Sequence, residues 1–535
     1  MTVRERAEGG TAPTGTAPIG NVVDYLFEHS AAPSYSDRPA LVLDDPARSV
    51  VTYGELYARV CRVGHYFRSL GMLPDDRIMF SVLDGPDFEA LFLGGMKIGA
   101  VTIPINTWLK PKDYLYYVND SGCRAVVIDQ SLVPAFEEIR GRLTAVEHII
   151  VAGGRVAGYP FLDDEIAGFP DTLESHPQQP DDMAFWLYSS GSTGDPKGVV
   201  HTHEHIYWAT ELFGIGAQKI TGEDTVLCPP KMFFAYGLGN QVYFPLRTGA
   251  TNLVNSGPIT PARIWDLWLT HAPTIVMSVP TLFAGMLQMA EKEIGQARVR
   301  EACRPLRFSV SGGELLPPSL FERWKQFTGT EILDGVGTTE MTHMFMLNPP
   351  GAAIPGSCGR LVDGFAAEIV DDEGRPVPQG EIGNLRAYGP SAASQYWNKP
   401  DRTAAVFGAG GVMTGDKFYQ DEDGNYFIVG RSDDMLRVGG IWVSPTEIEA
   451  ALAEHDAVLE SAVIGTPDEA QMIKPHAYVI LKDGAAADDG LVDALKGFVR
   501  ERLAHYKCPR WIDFVDELPK TTTGKIQRFR LRESA

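Results

Sequence analysis

Residues 188–198 have the composition of a loop that grips phosphate. They read Tyr-Ser-Ser-Gly-Ser-Thr-Gly-Asp-Pro-Lys-Gly and directly follow an apolar, strand-like run, Met183 to Leu187. Glycine lets backbone N–H groups approach an anion closely, hydroxyls add donors with little bulk, and Lys197 adds a positive charge. A Walker loop needs Gly-Lys followed by Ser or Thr, whereas Lys197 stands between proline and glycine. The segment therefore predicts a polyphosphate site of another kind, and its alternative is a flexible surface turn.

Four further segments could complete such a site. The small residues 311–314 follow a predicted strand and could lie against a flat aromatic base. Residues 334–340 offer hydroxyls for phosphate and, in Glu340, a carboxylate of the kind that Mg²⁺ prefers. Asp416 could accept two hydrogen bonds from a ribose diol, and Lys525 lies on a tight loop from which it could act as a charge clamp. Taken singly, these segments could equally be tight turns, a turn cap and a solvated charge near the chain end.

Strand-like and helical patterns alternate along most of the chain. The apolar runs 125–128 and 274–277 predict buried strands, and helical spacing follows Pro280 and Pro318. This alternation predicts an α/β fold, with a large N-terminal domain of mixed and parallel β-sheets layered with helices. In such sheets ligands bind at loops beyond the carboxyl ends of strands, where the Gly/Ser-rich segments fall.

The pattern changes near residue 430, where a polar, turn-like stretch precedes compact strand and helix runs. We expect a small, mobile C-terminal α+β domain there. The predicted organisation is a disordered leader over 1–18, an ATP- and acyl-binding domain over 19–430, a hinge over 431–434 and the mobile domain over 435–535.

Composition narrows the class of protein. The net charge of −22 argues against nucleic-acid and anionic-membrane partners, and an anionic substrate would need a local positive site. The six cysteines are dispersed, which fits reduced thiols better than a disulfide framework. Neither a signal-peptide core nor a membrane-length apolar stretch is visible. These features indicate a cytoplasmic enzyme.

The order of the five segments resembles the adenylate-forming superfamily of acyl-CoA synthetases, adenylation domains and luciferases, from about Val22 to Arg528. Phe-Phe-Ala-Tyr-Gly-Leu-Gly-Asn at 233–240 and Glu-Met-Thr-His at 340–343 are most similar to benzoate–CoA and related aryl–CoA ligases. The resemblance implies activation of an aromatic carboxylic acid by ATP and Mg²⁺ to an acyl adenylate, followed by thioester formation with coenzyme A. The expected partners are the acid, ATP and coenzyme A, and a homodimer is one of the assemblies left open.

The resemblance also implies roles for individual residues. Lys525 would bridge carboxylate and α-phosphate oxygens, Thr339 would touch the α-phosphate, Glu340 would bind Mg²⁺, and Asp416 with Arg431 would hold the ribose. The residues implied to contact ATP are Ser189, Ser190, Gly191, Ser192, Thr193, Gly194, Lys197, Ser311, Gly312, Gly313, Glu314, Asp334, Gly335, Thr338, Thr339, Asp416, Arg431 and Lys525.

Between the two half-reactions the small domain would turn about a hinge at Asp433, a gating motion. This turn would withdraw Lys525 and bring in a glycine-lined tunnel for pantetheine. The tunnel residues are Gly439, Gly440 and Ile441.

The implied acyl pocket has aromatic walls and little positive charge, which suits a flat aryl acid better than a long acyl chain. Its residues are Phe234, Ala235, Tyr236, Ser311, Gly335, Gly337, Thr342 and His343, with Trp208 or Phe213 as a further wall. Many superfamily members carry histidine where this chain has Phe234, which puts a polar gate at that position in doubt. Thr342 or His343 is hypothesised to accept a small ring substituent such as an ortho amino group; the alternative is a threonine that serves packing.

The sequence His-Thr-His-Glu-His at 201–205 resembles a metal cluster but lacks remote ligands at metal-site spacing. A structural role is the better interpretation. Two other functions stay open: an enzyme that loads a carrier-protein phosphopantetheine, and a nucleotide-binding sensor without chemistry. Dependence on a carrier protein would identify the first, and pyrophosphate exchange that persists in Lys525→Ala would favour the second.

Overall fold

The computed structural model describes residues 16–28, 33–189, 195–432, 434–438, 441–469, 472–520 and 526–534. These residues divide into two compact units. Unit 1 comprises those within 1–189, 196–367 and 387–412, and unit 2 those within 190–195, 368–386 and 413–535.

Strands occur throughout the described residues. In chain order they are β1 (Pro39–Leu43), β2 (Val50–Thr52), β3 (Arg77–Ser81), β4 (Val101–Pro104), β5 (Ala125–Asp129), β6 (His148–Ala152), β7 (Met183–Ser189), β8 (Lys197–Thr202), β9 (Thr225–Leu227), β10 (Thr251–Val254), β11 (Ile275–Ser278), β12 (Phe308–Ser311), β13 (Ile332–Gly337), β14 (Met344–Leu347), β15 (Arg360–Leu361), β16 (Ala366–Val370), β17 (Gly383–Tyr388), β18 (Val412–Gln420), β19 (Tyr426–Arg431), β20 (Leu436–Val438), β21 (Ile441–Val443), β22 (Val458–Pro467), β23 (Ile473–Leu481) and β24 (Trp511–Phe514).

Helices connect most of these strands. In chain order the α-helices are α1 (Val22–Leu26), α2 (Pro33–Ser36), α3 (Tyr53–Ser69), α4 (Pro86–Lys97), α5 (Pro111–Ser121), α6 (Val133–Ile139), α7 (Leu162–Ile166), α8 (His203–Ala209), α9 (Ala235–Leu238), α10 (Phe244–Thr248), α11 (Pro261–His271), α12 (Pro280–Met289), α13 (Gln296–Ala302), α14 (Pro318–Thr328), α15 (Pro400–Phe407), α16 (Pro445–Ala453), α17 (Asp489–Arg502) and α18 (Arg528–Ser534). Shorter 3₁₀ and π turns include Thr210–Ala217, Gly239–Tyr243 and Thr339–Met341.

Two sheets form the frame of unit 1. The nine-stranded sheet has the order β15-β14-β13-β12-β11-β9-β10-β1-β2, in which the strands from β13 to β1 run parallel. The six-stranded sheet has the order β6-β5-β3-β4-β7-β8, and its last pair, β7 and β8, is antiparallel. The carboxyl ends of β12 and β13 therefore lie side by side, so the loops that follow them can share a ligand.

Local sequence explains why these elements form. The strand β5 is buried along its whole length, as its unbroken apolar run requires in a parallel sheet covered on both faces. Proline opens α14, and Gly329, with φ of 81°, closes it in the left-handed conformation that favours glycine. Indole rings of α11 and α14 meet in a buried cluster against the nine-stranded sheet, where Trp265, Trp268 and Trp324 are almost fully buried.

Unit 2 contains most of a four-stranded sheet, β16-β17-β18-β19, the hairpin β20-β21 and the sheet β22-β23-β24. The last sheet joins β23 to a parallel β24 through α17, the crossover connection that a βαβ unit needs. The expected α/β architecture, with a large sheet–helix part and a smaller C-terminal part, is confirmed. The domain boundaries at 18, 430 and 434 stay predictions. Among the described helices, none combines the length and apolarity needed to cross a bilayer.

Candidate functional site

An antiparallel hairpin flanks the predicted phosphate-binding segment. Ser189 ends β7 and pairs in register with Lys197, which begins β8. Two predicted nucleotide contacts are thus fixed on opposite sides of one turn. The five other predicted contacts of this turn lie outside the described residues: Ser190, Gly191, Ser192, Thr193 and Gly194.

Among the described residues, the donors to the Glu340 carboxylate all approach one oxygen. The Tyr396 hydroxyl donates to its Oε1 at 2.7 Å, and the Ser189 hydroxyl approaches the same oxygen at 3.3 Å. Among the described residues, no donor bonds to Oε2. A fixed carboxylate with one oxygen left over fits a hard cation such as Mg²⁺, whose ligands are oxygen atoms.

The turn that carries Glu340 is capped and strained. The Thr338 hydroxyl accepts the Met341 N–H at 3.2 Å and so begins a single 3₁₀ turn that includes Thr339. Thr342 ends this turn with φ of 68°, a left-handed conformation that β-branched residues rarely adopt. Thr342 directly precedes His343, whose side chain follows that of Glu340 by three positions.

The Thr342 hydroxyl is fully buried and already bonded. It donates to the Ser391 carbonyl at 2.6 Å and lies 3.1 Å from His201 Nδ1. This geometry favours the packing alternative for Thr342 over contact with a ring substituent. The hydroxyl anchors the strained turn to the segment around Ser391.

His343 lies in an aromatic cage. Its ring centre is 4.9 Å from Phe213, 4.8 Å from Phe244 and 5.7 Å from Tyr236. Its Nε2 lies 3.3 Å from the Tyr236 carbonyl, so Nε2 carries the proton, and Nδ1 is buried without a hydrogen-bond partner among the described residues. Burial lowers the pKa of His343 to about 3, so the imidazole is neutral at physiological pH.

One of the predicted acyl walls, Tyr236, borders this cage. Phe234, Ala235 and Tyr236 are partly exposed at the start of α9, and the Tyr236 hydroxyl donates to the Val310 carbonyl at 3.1 Å. Of the two alternatives for a further wall, Phe213 adjoins His343, whereas the Trp208 ring packs on Tyr207.

Backbone crowding explains the glycines of this region. A Cβ atom on Gly337 would lie 2.7 Å from the His343 carbonyl oxygen, and one on Gly335 would lie 2.7 Å from the Met346 carbonyl oxygen. On Gly312 it would meet the Met344 methyl at 2.0 Å. The backbone contacts exclude larger side chains at Gly335 and Gly337, whereas the Met344 side chain could move away from a larger residue at Gly312.

The predicted adenine contacts gather at the ends of β12 and β13. Ser311 and Asp334 are register partners on these parallel strands, and both are buried. Burial raises the pKa of Asp334 to about 8, because the Ser311 hydroxyl and the backbone N–H groups of Leu316 and Gly335 only partly offset the desolvation of the carboxylate. Asp334 is therefore protonated at pH 7. Gly313 follows with φ of 81°, and Glu314 is exposed.

The predicted ribose contacts lie in unit 2. Asp416 and Arg431 are register partners on β18 and β19, and the guanidinium donates to the Asp416 carboxylate at 3.1 Å. Arg431 also donates to the Thr414 carbonyl at 3.2 Å. The structure thus brings together two residues that are 15 positions apart.

Several predicted residues cannot be placed. Lys525, the hinge Asp433, and the tunnel residues Gly439 and Gly440 lie outside the described residues. Ile441 begins β21, which pairs with β20 on the other side of that glycine pair.

The histidines at 201–205 bond to the backbone and to one another. His203 Nδ1 accepts the Val22 N–H at 3.2 Å, and His205 Nδ1 accepts the Thr202 N–H at 3.2 Å. His201 Nδ1 lies 3.4 Å from His205 Nδ1. Among the described residues, no three His, Cys, Asp or Glu side chains form a metal-binding group. These rings link β8 and α8 to their surroundings.

Sequence reasoning missed Tyr396, Ser391 and Phe244. Each contacts a predicted site residue, and Tyr396 and Phe244 lie outside any glycine- or hydroxyl-rich motif. The signal available was weak: Gln-Tyr-Trp at 395–397 is a short aromatic run before a turn, a pattern that packing alone would explain.

Comparison with known families decides the class. The AMP-binding enzyme model matches residues 27–397, and the AMP-binding enzyme C-terminal domain model matches 447–525. The chain belongs to the AMP-binding enzyme family. The benzoate–CoA ligase of Thauera aromatica is 46% identical over 487 residues, which are 90% of each chain.

Solved structures of CoA ligases are similar to this chain along nearly its whole length. A crystal structure of the anthranilate CoA ligase AuaEII in complex with anthranoyl-AMP is 38% identical, with a TM-score of 0.88 over 99% of this chain and 98% of the other. A benzoate CoA ligase from Burkholderia xenovorans is 39% identical, with a TM-score of 0.86 over 96% and 100%. The resemblance to aryl–CoA ligases is thereby confirmed.

Proposed function

We propose that this family member is an AMP-forming aryl–CoA ligase. It activates benzoate or a substituted benzoate with ATP and transfers the acyl group to coenzyme A. The observation that carries the proposal is the Glu340–His343 segment, which presents a carboxylate beside the phosphate-loop hairpin and, three residues later, a neutral imidazole inside an aromatic cage. One turn thus connects a nucleotide site with an aryl site.

In the first step a carboxylate oxygen of the acid attacks the α-phosphorus of ATP. A P–O bond forms, the bond to the β-phosphate bridging oxygen breaks, and pyrophosphate leaves with the electron pair. Ser189 and Lys197 hold phosphate oxygens at the hairpin, and Thr339 lies at the α-phosphate. Lys525 is the proposed cation between acid and phosphate, where it stabilises the charge that builds up in the transition state.

Glu340 would hold Mg²⁺ through Oε2, and the ion would neutralise charge on the phosphates. Ser311 and the protonated Asp334 line the proposed adenine site, where a neutral carboxyl avoids placing a negative charge beside the nucleotide. Asp416, oriented by Arg431, is the proposed acceptor for the ribose hydroxyls.

In the second step the coenzyme A thiol attacks the acyl carbon of the adenylate. A C–S bond forms, the C–O bond to the phosphate breaks, AMP leaves with the electron pair, and the thiol proton is released to solvent. The proposed pantetheine path runs between β20 and β21, at Gly439 and Gly440, with Asp433 as the hinge.

The aryl cage favours an unsubstituted ring. The Thr342 hydroxyl is bonded to Ser391, and His343 Nδ1 is closed to solvent, so neither offers a ready partner for a polar ring substituent. We therefore propose benzoate as a better substrate than 2-aminobenzoate, because transferring an amino group from water to a site without a hydrogen-bond partner costs free energy.

A substrate panel tests the proposal. AMP release is followed with coenzyme A and benzoate, 2-aminobenzoate, salicylate, 4-hydroxybenzoate or short fatty acids. We expect AMP formation with aromatic acids and the highest kcat/KM for benzoate. If none of the aromatic acids supports AMP formation, the proposed ligase activity is contradicted. A higher kcat/KM for 2-aminobenzoate than for benzoate would contradict only the proposed substrate preference. AMP release that requires a carrier protein would identify the carrier-loading alternative.

A further inference from the structure

Tyr396 lies between the two charged groups of the proposed nucleotide site. Its hydroxyl donates to Glu340 Oε1 at 2.7 Å, and the Lys197 ammonium lies 4.7 Å from the centre of its ring. The ring is 3% exposed and packs against Val199 and Ala393. A single rigid side chain therefore contacts both the carboxylate and the cation.

The backbone around Tyr396 fixes this position from both sides. Residues 391–397, which we name the bracing segment, bond to the Glu340 turn through Ala393 N–H to the Glu340 carbonyl at 2.8 Å. The Ser391 hydroxyl adds a bond to the Met341 carbonyl at 2.9 Å.

The same segment bonds to β8 on its other side. Val200 N–H donates to the Gln395 carbonyl at 3.2 Å, and Trp397 N–H donates to the Gly198 carbonyl at 2.8 Å. The bracing segment thus holds the Glu340 turn and the strand that begins at Lys197 at a fixed separation, as a preorganised charge site needs.

The hydroxyl of Tyr396 fixes the rotation of the carboxylate. Because Tyr396 and Ser189 both approach Oε1, Oε2 is the oxygen that no donor among the described residues contacts. Without the tyrosine, the carboxylate could rotate more freely about its last torsion angle, which is soft, and Oε2 would be held less firmly in one direction.

We propose that Tyr396 is a positioning residue that orients the Glu340 carboxylate toward a magnesium-bound nucleotide and holds Lys197 beside it, an inference that rests on the proposed function. The hydroxyl acts through Glu340 and the ring acts through Lys197. The two contributions are separable, because Tyr396→Phe removes only the first.

The chain supplies a matched control at Tyr25. Its hydroxyl donates to Glu211 Oε1 at 2.6 Å, and the Arg247 guanidinium lies 4.3 Å from its ring centre. Tyr25→Phe therefore removes the same kind of hydrogen bond at a place outside the proposed site.

The test measures binding of α,β-methylene-ATP by calorimetry, in excess Mg²⁺ and in EDTA. In the wild type, Mg²⁺ should tighten binding. In Tyr396→Phe this tightening should fall by roughly tenfold, the usual range for a hydrogen bond to a charged group, while the affinity in EDTA stays the same. Tyr25→Phe should behave as the wild type.

Kinetics give a second measurement. The Mg²⁺ concentration for half-maximal AMP formation should rise in Tyr396→Phe, with the KM for benzoate unchanged. An undiminished Mg²⁺ effect on nucleotide binding in Tyr396→Phe would overturn the inference about Tyr396 without contradicting the proposed ligase activity. A wild type in which Mg²⁺ has no effect on nucleotide binding would overturn both.

Discussion

Tyr396 and Tyr25 are each held between a carboxylate and a cation, but the two arrangements differ in what they leave unpaired. Around Tyr25, Arg247 lies 3.9 Å from the Glu211 carboxylate and also pairs with a second glutamate, so the charges compensate one another. Burial and the bond to Glu211 raise the pKa of Tyr25, which keeps its proton on the phenol. At Glu340, Oε2 has no donor among the described residues. A tyrosine between a glutamate and a basic residue therefore forms a structural contact in one place and an incomplete, ligand-ready site in the other.

Of the variants that test this contrast, Glu340→Gln should have the largest effect on AMP formation. The amide removes the charge that a cation needs, and we expect kcat/KM for AMP formation to fall on the order of a hundredfold or more. The matched variant Glu211→Gln should leave kcat/KM at the wild-type value. Equal activity of the two variants, measured by pyrophosphate release with benzoate, would show that Glu340 has no special role.

Thr342→Val should weaken the turn that carries Glu340. The isosteric change removes the bond to the Ser391 carbonyl, which is then buried without this donor, so the free energy of unfolding should fall by about 1–3 kcal/mol. Thr342→Ser keeps the hydroxyl and is the matched control. Chemical denaturation followed by tryptophan fluorescence measures both, and equal losses would exclude the hydroxyl as the anchor.

Arg247→Met should change the stability of the Tyr25 region without changing AMP formation. It removes the contact with the Tyr25 ring and two ion pairs near the surface, at a cost of about 1 kcal/mol in the free energy of unfolding. The loss should shrink at high salt, because part of it is a screened charge interaction. AMP formation should be unchanged. A loss of activity without a loss of stability would link this region to the site.

The parts of the site that could be predicted from the sequence are those formed by short runs of contiguous residues. The strand before residue 189, the turn after Asp334 and the carboxylate of Glu340 all follow from short runs in which apolar residues give way to glycine and hydroxyls. The pairing of Asp416 with Arg431 could be predicted only from the family resemblance. The two residues meet because of the register between β18 and β19, which the local sequence does not reveal.

The bracing segment could not be predicted in this way. Tyr396 lies 56 positions from Glu340 and contacts it only after β8 and the 3₁₀ turn are folded onto the same segment. The fate of the Thr342 hydroxyl depended on a backbone carbonyl 49 positions away, and residue type alone favoured neither alternative. In a sequence, an aromatic residue among buried residues indicates packing. The additional role of Tyr396 becomes visible only in the structure, through the hydrogen bond of its hydroxyl to Glu340.

Asp334→Asn should produce the smallest effect and sharpen the contrast with Glu340. Because burial raises the pKa of Asp334 to about 8, the wild-type side chain is already neutral at pH 7, and the KM for ATP should change by about twofold or less. The unfolded carboxyl loses its proton near its ordinary pKa of 3.8, so the stability contributed by the protonated form is lost as pH rises toward 8. The difference in unfolding midpoint between wild type and variant should therefore shift against the wild type from pH 5 to 8 and then level off. Parallel midpoints over this range would show that Asp334 is ionised in the folded protein.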